Sequence, residues 1–106
     1  MLRMRVLATI FGLLFSAVLT AQIEVTGIIK DAITGEPLVG AFIMGPNGSH
    51  IDTVTDLDGR YYLTVPESFL GQEWRVFYVG YQTKSVILDA NAGAGDVDII
   101  LEPGTD

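Results

Sequence analysis

Beyond residue 21 the chain alternates apolar and polar residues with a period of two, and turn residues break the alternation at intervals of roughly 8 to 12 positions. Successive side chains of a strand point to opposite faces, so such a pattern places one face on a core and the other in water. Gln22–Lys30 reads as a first strand with Ile23, Val25 and Ile29 on one face and Glu24, Thr26 and Lys30 on the other. Thr34-Gly35-Glu36-Pro37 is a turn, and Leu38–Met44 a second strand with Gly40 marking a bulge or close approach. Pro46-Asn47-Gly48 turns the chain into Ser49–Thr55, and Asp56-Leu57-Asp58-Gly59 turns it again into Arg60–Val65, with Tyr61, Leu63 and Val65 inward. After a loop from Pro66 to Gln72 come Glu73–Val79, Tyr81–Asp89 and, past the Asn91–Gly95 loop, Asp96–Glu102. The pattern predicts an all-β domain of seven short antiparallel strands, a sandwich or barrel, over residues 22–102, with a polar tail over 103–106.

The first 21 residues follow another logic. Arg3 and Arg5 precede an uncharged apolar run from Val6 to Leu19, and Leu19-Thr20-Ala21 then offers a small residue before a cut ahead of Gln22. These are the parts of a cleavable export signal, and the run falls short of the roughly 20 apolar residues of a membrane span. No Cys follows it, which excludes a lipid-anchored form. Cleavage removes Arg3 and Arg5 and leaves Lys30, Arg60, Arg75 and Lys84 against all 13 acidic residues, a net charge of −9 in place of −7. A surface this acidic repels nucleic acid and anionic lipid, both of which are bound through Lys and Arg. With no Cys anywhere, a domain of about 85 residues has to be held by its core alone.

Several segments taken together resemble one family. Val25-Thr26-Gly27 to Lys30-Asp31, Thr34-Gly35-Glu36-Pro37-Leu38, Gly40-Ala41, Thr55-Asp56-Leu57-Asp58-Gly59-Arg60-Tyr61 and Val79-Gly80-Tyr81 look like the successive motifs of the carboxypeptidase regulatory-like domain. The resemblance implies a prealbumin-like (transthyretin-like) seven-stranded antiparallel sandwich, a fold shared with carbohydrate-binding modules. In Bacteroidetes-type bacteria such domains commonly sit in the periplasm ahead of the plug and barrel of TonB-dependent outer-membrane receptors. Here the sequence stops soon after Leu101-Glu102, which leaves a free-standing module or the front piece of an interrupted receptor as the expected arrangements.

The residues that could carry chemistry are few. Asp56 and Asp58, alternating before Gly59, begin like a calcium loop, but Arg60-Tyr61-Tyr62-Leu63 continues as strand where further acidic ligands belong. A hairpin turn braced by Asp side chains is the stronger reading, and no cofactor is expected. His50 is the one histidine and adjoins Ser49, but neighbours on a strand point to opposite faces and cannot share a proton. The hydroxyisourate hydrolase of the prealbumin-like fold needs more than one His, an Arg and a terminal Tyr-Arg-Gly-Ser, which this chain lacks, so no enzyme is expected. Trp74 and Tyr78 fall on the core face by alternation. Tyr62 and Phe77 are the candidates for an exposed aromatic patch, either a protein interface or a platform for sugar rings. Asn47-Gly48-Ser49 and Asp52-Thr53-Val54 match glycosylation triplets, the second an O-linked type at Thr53. The expected function is a non-catalytic accessory module of the cell envelope with a protein partner, periplasmic or outer-membrane-associated, with carbohydrate binding as the alternative.

Overall fold

The computed structural model describes residues 21–104. The expected export signal, Ala21 apart, and the last two residues of the tail lie outside the described residues. Seven strands follow in order: β1 (Gln22–Asp31), β2 (Phe42–Met44), β3 (Asp52–Val54), β4 (Arg60–Pro66), β5 (Glu73–Phe77), β6 (Lys84–Ile87) and β7 (Ile99–Leu101), with single 3-10 turns at Glu67–Phe69 and Ala92–Ala94. They form two sheets, one of three strands in the order β4-β1-β7 and one of four in the order β3-β2-β5-β6. The inward faces close a sandwich whose core includes Val25, Ile29, Ile43, Tyr61, Val65, Trp74, Val76 and Leu101, each at most 2% exposed. Each such side chain contributes about 1.5–3 kcal/mol on burial, and the void left between the sheets is only about 10 Å³.

Alternation predicts the faces correctly in β1, β4 and β5, but several strands are shorter than the pattern suggests. Leu38–Ala41 does not join β2, because Gly40 takes a φ of +81° and breaks the extended run. His50, at φ +55°, does the same before β3. The antiparallel expectation holds for every pairing but one, since β7 runs parallel to β1, with Ile29 opposite Ile99 and Asp31 opposite Leu101. The cause is the crossover after β6: the chain leaves the four-stranded sheet, runs back along β1 through residues 88–98, and enters the other sheet from the end at which β1 begins.

This topology collects particular loops at one end. β1 and β7 both finish there, and β4 starts there with Arg60 opposite Ile28. In the other sheet Phe42, opening β2, lies opposite both Val54 at the end of β3 and Phe77 at the end of β5. The loops 32–41, 55–59 and 78–83, and the exit of the chain past Leu101, are therefore neighbours.

Candidate interaction surface

The loop end is held rigid from within by the residues of the sequence motifs. The Asp31 carboxylate accepts the N–H groups of Ile33 and Thr34 at 2.7 and 2.8 Å and the Tyr81 hydroxyl at 2.5 Å. These donors hold the Asp31 carboxyl below the usual carboxylate range, the Tyr81 hydrogen bond first among them. Tyr81 in turn is pushed up to about 12, because its proton is held by Asp31. Thr55, buried, donates to the Leu38 carbonyl at 2.5 Å and accepts the Ala41 N–H at 2.9 Å, tying two loops together. The Gln82 N–H bonds to the Glu102 carbonyl and the Gly104 N–H to the Gly80 carbonyl, each at 2.9 Å, so the segment after β7 is fastened to the β5–β6 loop.

Between these braced positions each loop presents an aliphatic side chain to water. Ile33 is 78% exposed, Leu57 87%, Val79 81% and Val39 44%. Turn chemistry does not require them, since polar residues occupy such places at no cost to the turn. Exposed Glu36, Asp56, Asp58 and Glu102 accompany them at the same end. Four exposed aliphatic side chains at one end of the fold make that end a candidate contact surface. The sequence shows the signal only faintly, as an aliphatic residue inside Asp-Leu-Asp-Gly and next to Gly in Val39-Gly40 and Val79-Gly80.

The residues singled out from the sequence are placed as follows. One oxygen of Asp56 accepts the N–H groups of Asp58 and Arg60 at 2.9 and 3.0 Å, and Gly59 takes φ +74° behind them, so the motif works as a braced turn. Asp58 is exposed, and no group of three metal-ligating side chains occurs among the described residues. Ser49 spends its hydroxyl on the Ile51 N–H, while His50 is exposed. Trp74 is in the core, where its indole N–H has no acceptor among the described residues. Thr53 is half-buried in β3.

Tyr62 and Phe77 are both exposed, at 59% and 45%, but on different sheets. Phe77 lies on the outer face of the four-stranded sheet in a row with Phe42 and Val54, whereas Tyr62 lies beside Thr26 on the outer face of the three-stranded one. The two aromatics therefore do not form one platform. An open cleft of about 460 Å³ does exist at the opposite end from the loops, between the Pro46-Asn47 turn and Gln72, Glu73 and Arg75. No aromatic ring lines it.

Near the start of β7, Tyr61 donates its hydroxyl to the Val97 carbonyl, and burial together with Asp98 and Asp96 pushes that hydroxyl up. Arg60 pairs with Asp96 at 3.4 Å, and Asp96 also accepts the Thr26 hydroxyl at 2.8 Å. These donors lower the Asp96 carboxyl, the Thr26 bond most.

Comparison with known proteins identifies the kind of domain. Residues 25–105 match the sequence model of the CarboxypepD_reg-like domain. A TonB-dependent receptor of Formosa agariphila is 42% identical over 85 residues, covering 76% of this chain and 8% of the receptor. The chain thus spans less than a tenth of the length of that relative. Among the described residues no helix is long and apolar enough to cross a membrane, which says nothing of membrane strands.

Proposed function

The chain belongs to the CarboxypepD_reg-like domain family, and on that premise we propose that it is an exported, non-catalytic accessory module that docks on TonB-dependent uptake machinery in the cell envelope. Residues 1 to 21 serve as the export signal, and the domain then works on the periplasmic side of the outer membrane. The observation that carries this reading is the loop end: four aliphatic tips, Ile33, Val39, Leu57 and Val79, held outward by turns that the family motifs brace. The likeness to a stretch of a TonB-dependent receptor supports the choice of partner. Protein contact is favoured over carbohydrate because Tyr62 and Phe77 sit on separate sheets and the open cleft between the Pro46-Asn47 turn and Arg75 offers no ring for a sugar to stack on.

A photo-crosslinking residue placed at Leu57 in growing cells tests the proposal, with Asn47 at the other end of the sandwich as control. Crosslinks from Leu57 to an outer-membrane TonB-dependent receptor, and none from Asn47, are expected. Equal crosslinking from both positions, or products with cytoplasmic proteins only, would overturn it.

A further inference from the structure

β4 forms an edge of the three-stranded sheet, and its free side differs from the other edges of the sandwich. Exposed edges are ordinarily blunted by shortness, charge, proline or a bulge. β3 and β7 are three residues long, and β6 is four with Lys84 at its start. β4 has seven residues, and from Tyr61 to Val65 it carries no charge, proline or glycine.

The register determines which backbone groups face outward. The Ile29 N–H donates to the Gly59 carbonyl at 2.9 Å, and the Glu67 N–H to the Ala21 carbonyl at 3.2 Å. Both contacts continue the pairing that sets Val25 opposite Leu63. Bonded and non-bonded pairs alternate along an antiparallel ladder, so Tyr61, Leu63 and Val65 turn their N–H and C=O groups toward β1. Arg60, Tyr62, Thr64 and Pro66 turn theirs away. Those of Arg60 are already used: its N–H donates to the Asp56 carboxylate at 3.0 Å, and its carbonyl accepts the Asp56 N–H at 2.9 Å. Pro66 has no N–H. What is open is a short window, the N–H and C=O of Tyr62 and Thr64 with the C=O of Pro66 at its end, for which the described residues supply no partner.

We propose that this window is a self-pairing edge, through which two copies of the chain associate as an antiparallel β4–β4 pair about a two-fold axis at Leu63. Tyr62 then faces the partner's Thr64, and Thr64 the partner's Tyr62. Four N–H···O=C bonds close, using the N–H and C=O of Tyr62 and Thr64 on both copies. Other registers leave Tyr62 or Thr64 less well met. Setting Tyr62 opposite its own copy brings Thr64 against the occupied Arg60. Setting Thr64 opposite its own copy lets the Tyr62 N–H reach the partner's Pro66 carbonyl, but the Tyr62 carbonyl then faces a proline with no N–H and the Tyr62 side chain loses its Thr64 neighbour. A shift by one residue turns the open groups toward groups already bonded to β1. The donors and acceptors of Tyr62 and Thr64 are symmetric about Leu63, and this favours a second copy over a foreign strand and gives a closed dimer rather than a fibre.

Side chains agree with the same register. Tyr62 meets the partner's Thr64 on the outer face, an aromatic with a β-branched residue, which is a favourable cross-strand pair. Arg60 lies toward the partner's Pro66 and the partner's Glu67, so opposite charges approach at both ends. The net acidity of the chain works against association, and salt screens that repulsion. A contact of one strand pair is small, so the dimer is weak and forms more readily as salt rises.

Sedimentation equilibrium of the full chain, purified as its host exports it, tests this at protein concentrations up to about 1 mM. A monomer–dimer equilibrium is expected, tightening several-fold between about 20 mM and about 500 mM salt. Thr64→Pro, which removes an outward N–H and leaves the β1–β4 bonds in place, abolishes the dimer. Two double variants control for folding. Tyr62→Lys/Thr64→Lys sets like charges face to face and gives monomer, whereas Tyr62→Glu/Thr64→Lys sets opposite charges face to face and keeps the dimer. A chain that stays monomeric throughout, or a dimer indifferent to all three variants, overturns the proposal.

Discussion

Asp31 shows how much one side chain does at the loop end. It is the last residue of β1, nearly buried, and it gathers two backbone N–H groups and the Tyr81 hydroxyl from fifty residues away. The donors favour the charged form, so its carboxyl titrates lower in the folded chain than the value of 3.8 it starts from. The sign follows from linkage: a depressed carboxyl contributes stability above its unfolded value, and that contribution is lost as pH falls through the folded value. Thermal melts of Asp31→Asn between pH 2 and pH 7 are therefore expected to show a lower melting temperature near neutrality and a flatter acid limb than the native chain. An acid limb of unchanged slope would show that Asp31 is not what the acid titrates. Tyr81 acts in the other direction, since its raised value, about 12, preserves the hydroxyl proton well past neutrality.

At the scale of elements, the constraint is strongest where β1 meets the approach to β7. The Val97 N–H bonds to the Thr26 carbonyl at 2.8 Å, which brings residues 96–98 directly over Gly27. A Cβ at Gly27 would lie 2.0 Å from the Val97 carbonyl oxygen and 2.9 Å from the Tyr61 ring. Both neighbours are fixed, one as backbone and one in the core, so Gly27→Ala is expected to cost about 2–3 kcal/mol or more in denaturant melts. By contrast Gly35, at φ +74° with open space around it, costs only about 1–2 kcal/mol on the same change, from backbone strain alone. A loss at Gly27 no larger than at Gly35 would mean that the crossover does not pack as described. Much of this level was legible in the sequence. Alternation set the faces of Tyr61, Leu63 and Val65 against Tyr62 and Thr64, because the period of two is local. The turns at Thr34–Pro37 and Asp56–Gly59 were legible because Gly, Asp and Pro carry their conformations with them. What was not legible depends mostly on distant pairing: the parallel alignment of β7 with β1 and the separation of Tyr62 from Phe77 onto different sheets, with the positive φ of His50 the local exception. A strand pattern says which residues share a face, but not which sheet the strand joins.

For the whole molecule, the two ends of the sandwich differ in kind. One end carries the braced loops with Ile33, Val39, Leu57 and Val79 in water, and the other an open polar cleft between Asn47 and Arg75. The aliphatic tips escaped the sequence reading because each is a single apolar residue inside a turn, and only the fold brings them to one end. Family membership shows the kind of domain, and the physical surface indicates how such a domain is used: a stiff scaffold, an acidic body, and a loop end suited to protein contact. The measurement closest to that claim is the affinity of the chain for a detergent-solubilised TonB-dependent receptor from the same envelope. Leu57→Ser/Val79→Ser, changes at positions 87% and 81% exposed, is predicted to weaken binding by about tenfold or more while the melting temperature holds, and Tyr62→Ser to leave it within about twofold. Binding that survives the loss of both tips and fails on Tyr62→Ser would contradict the account.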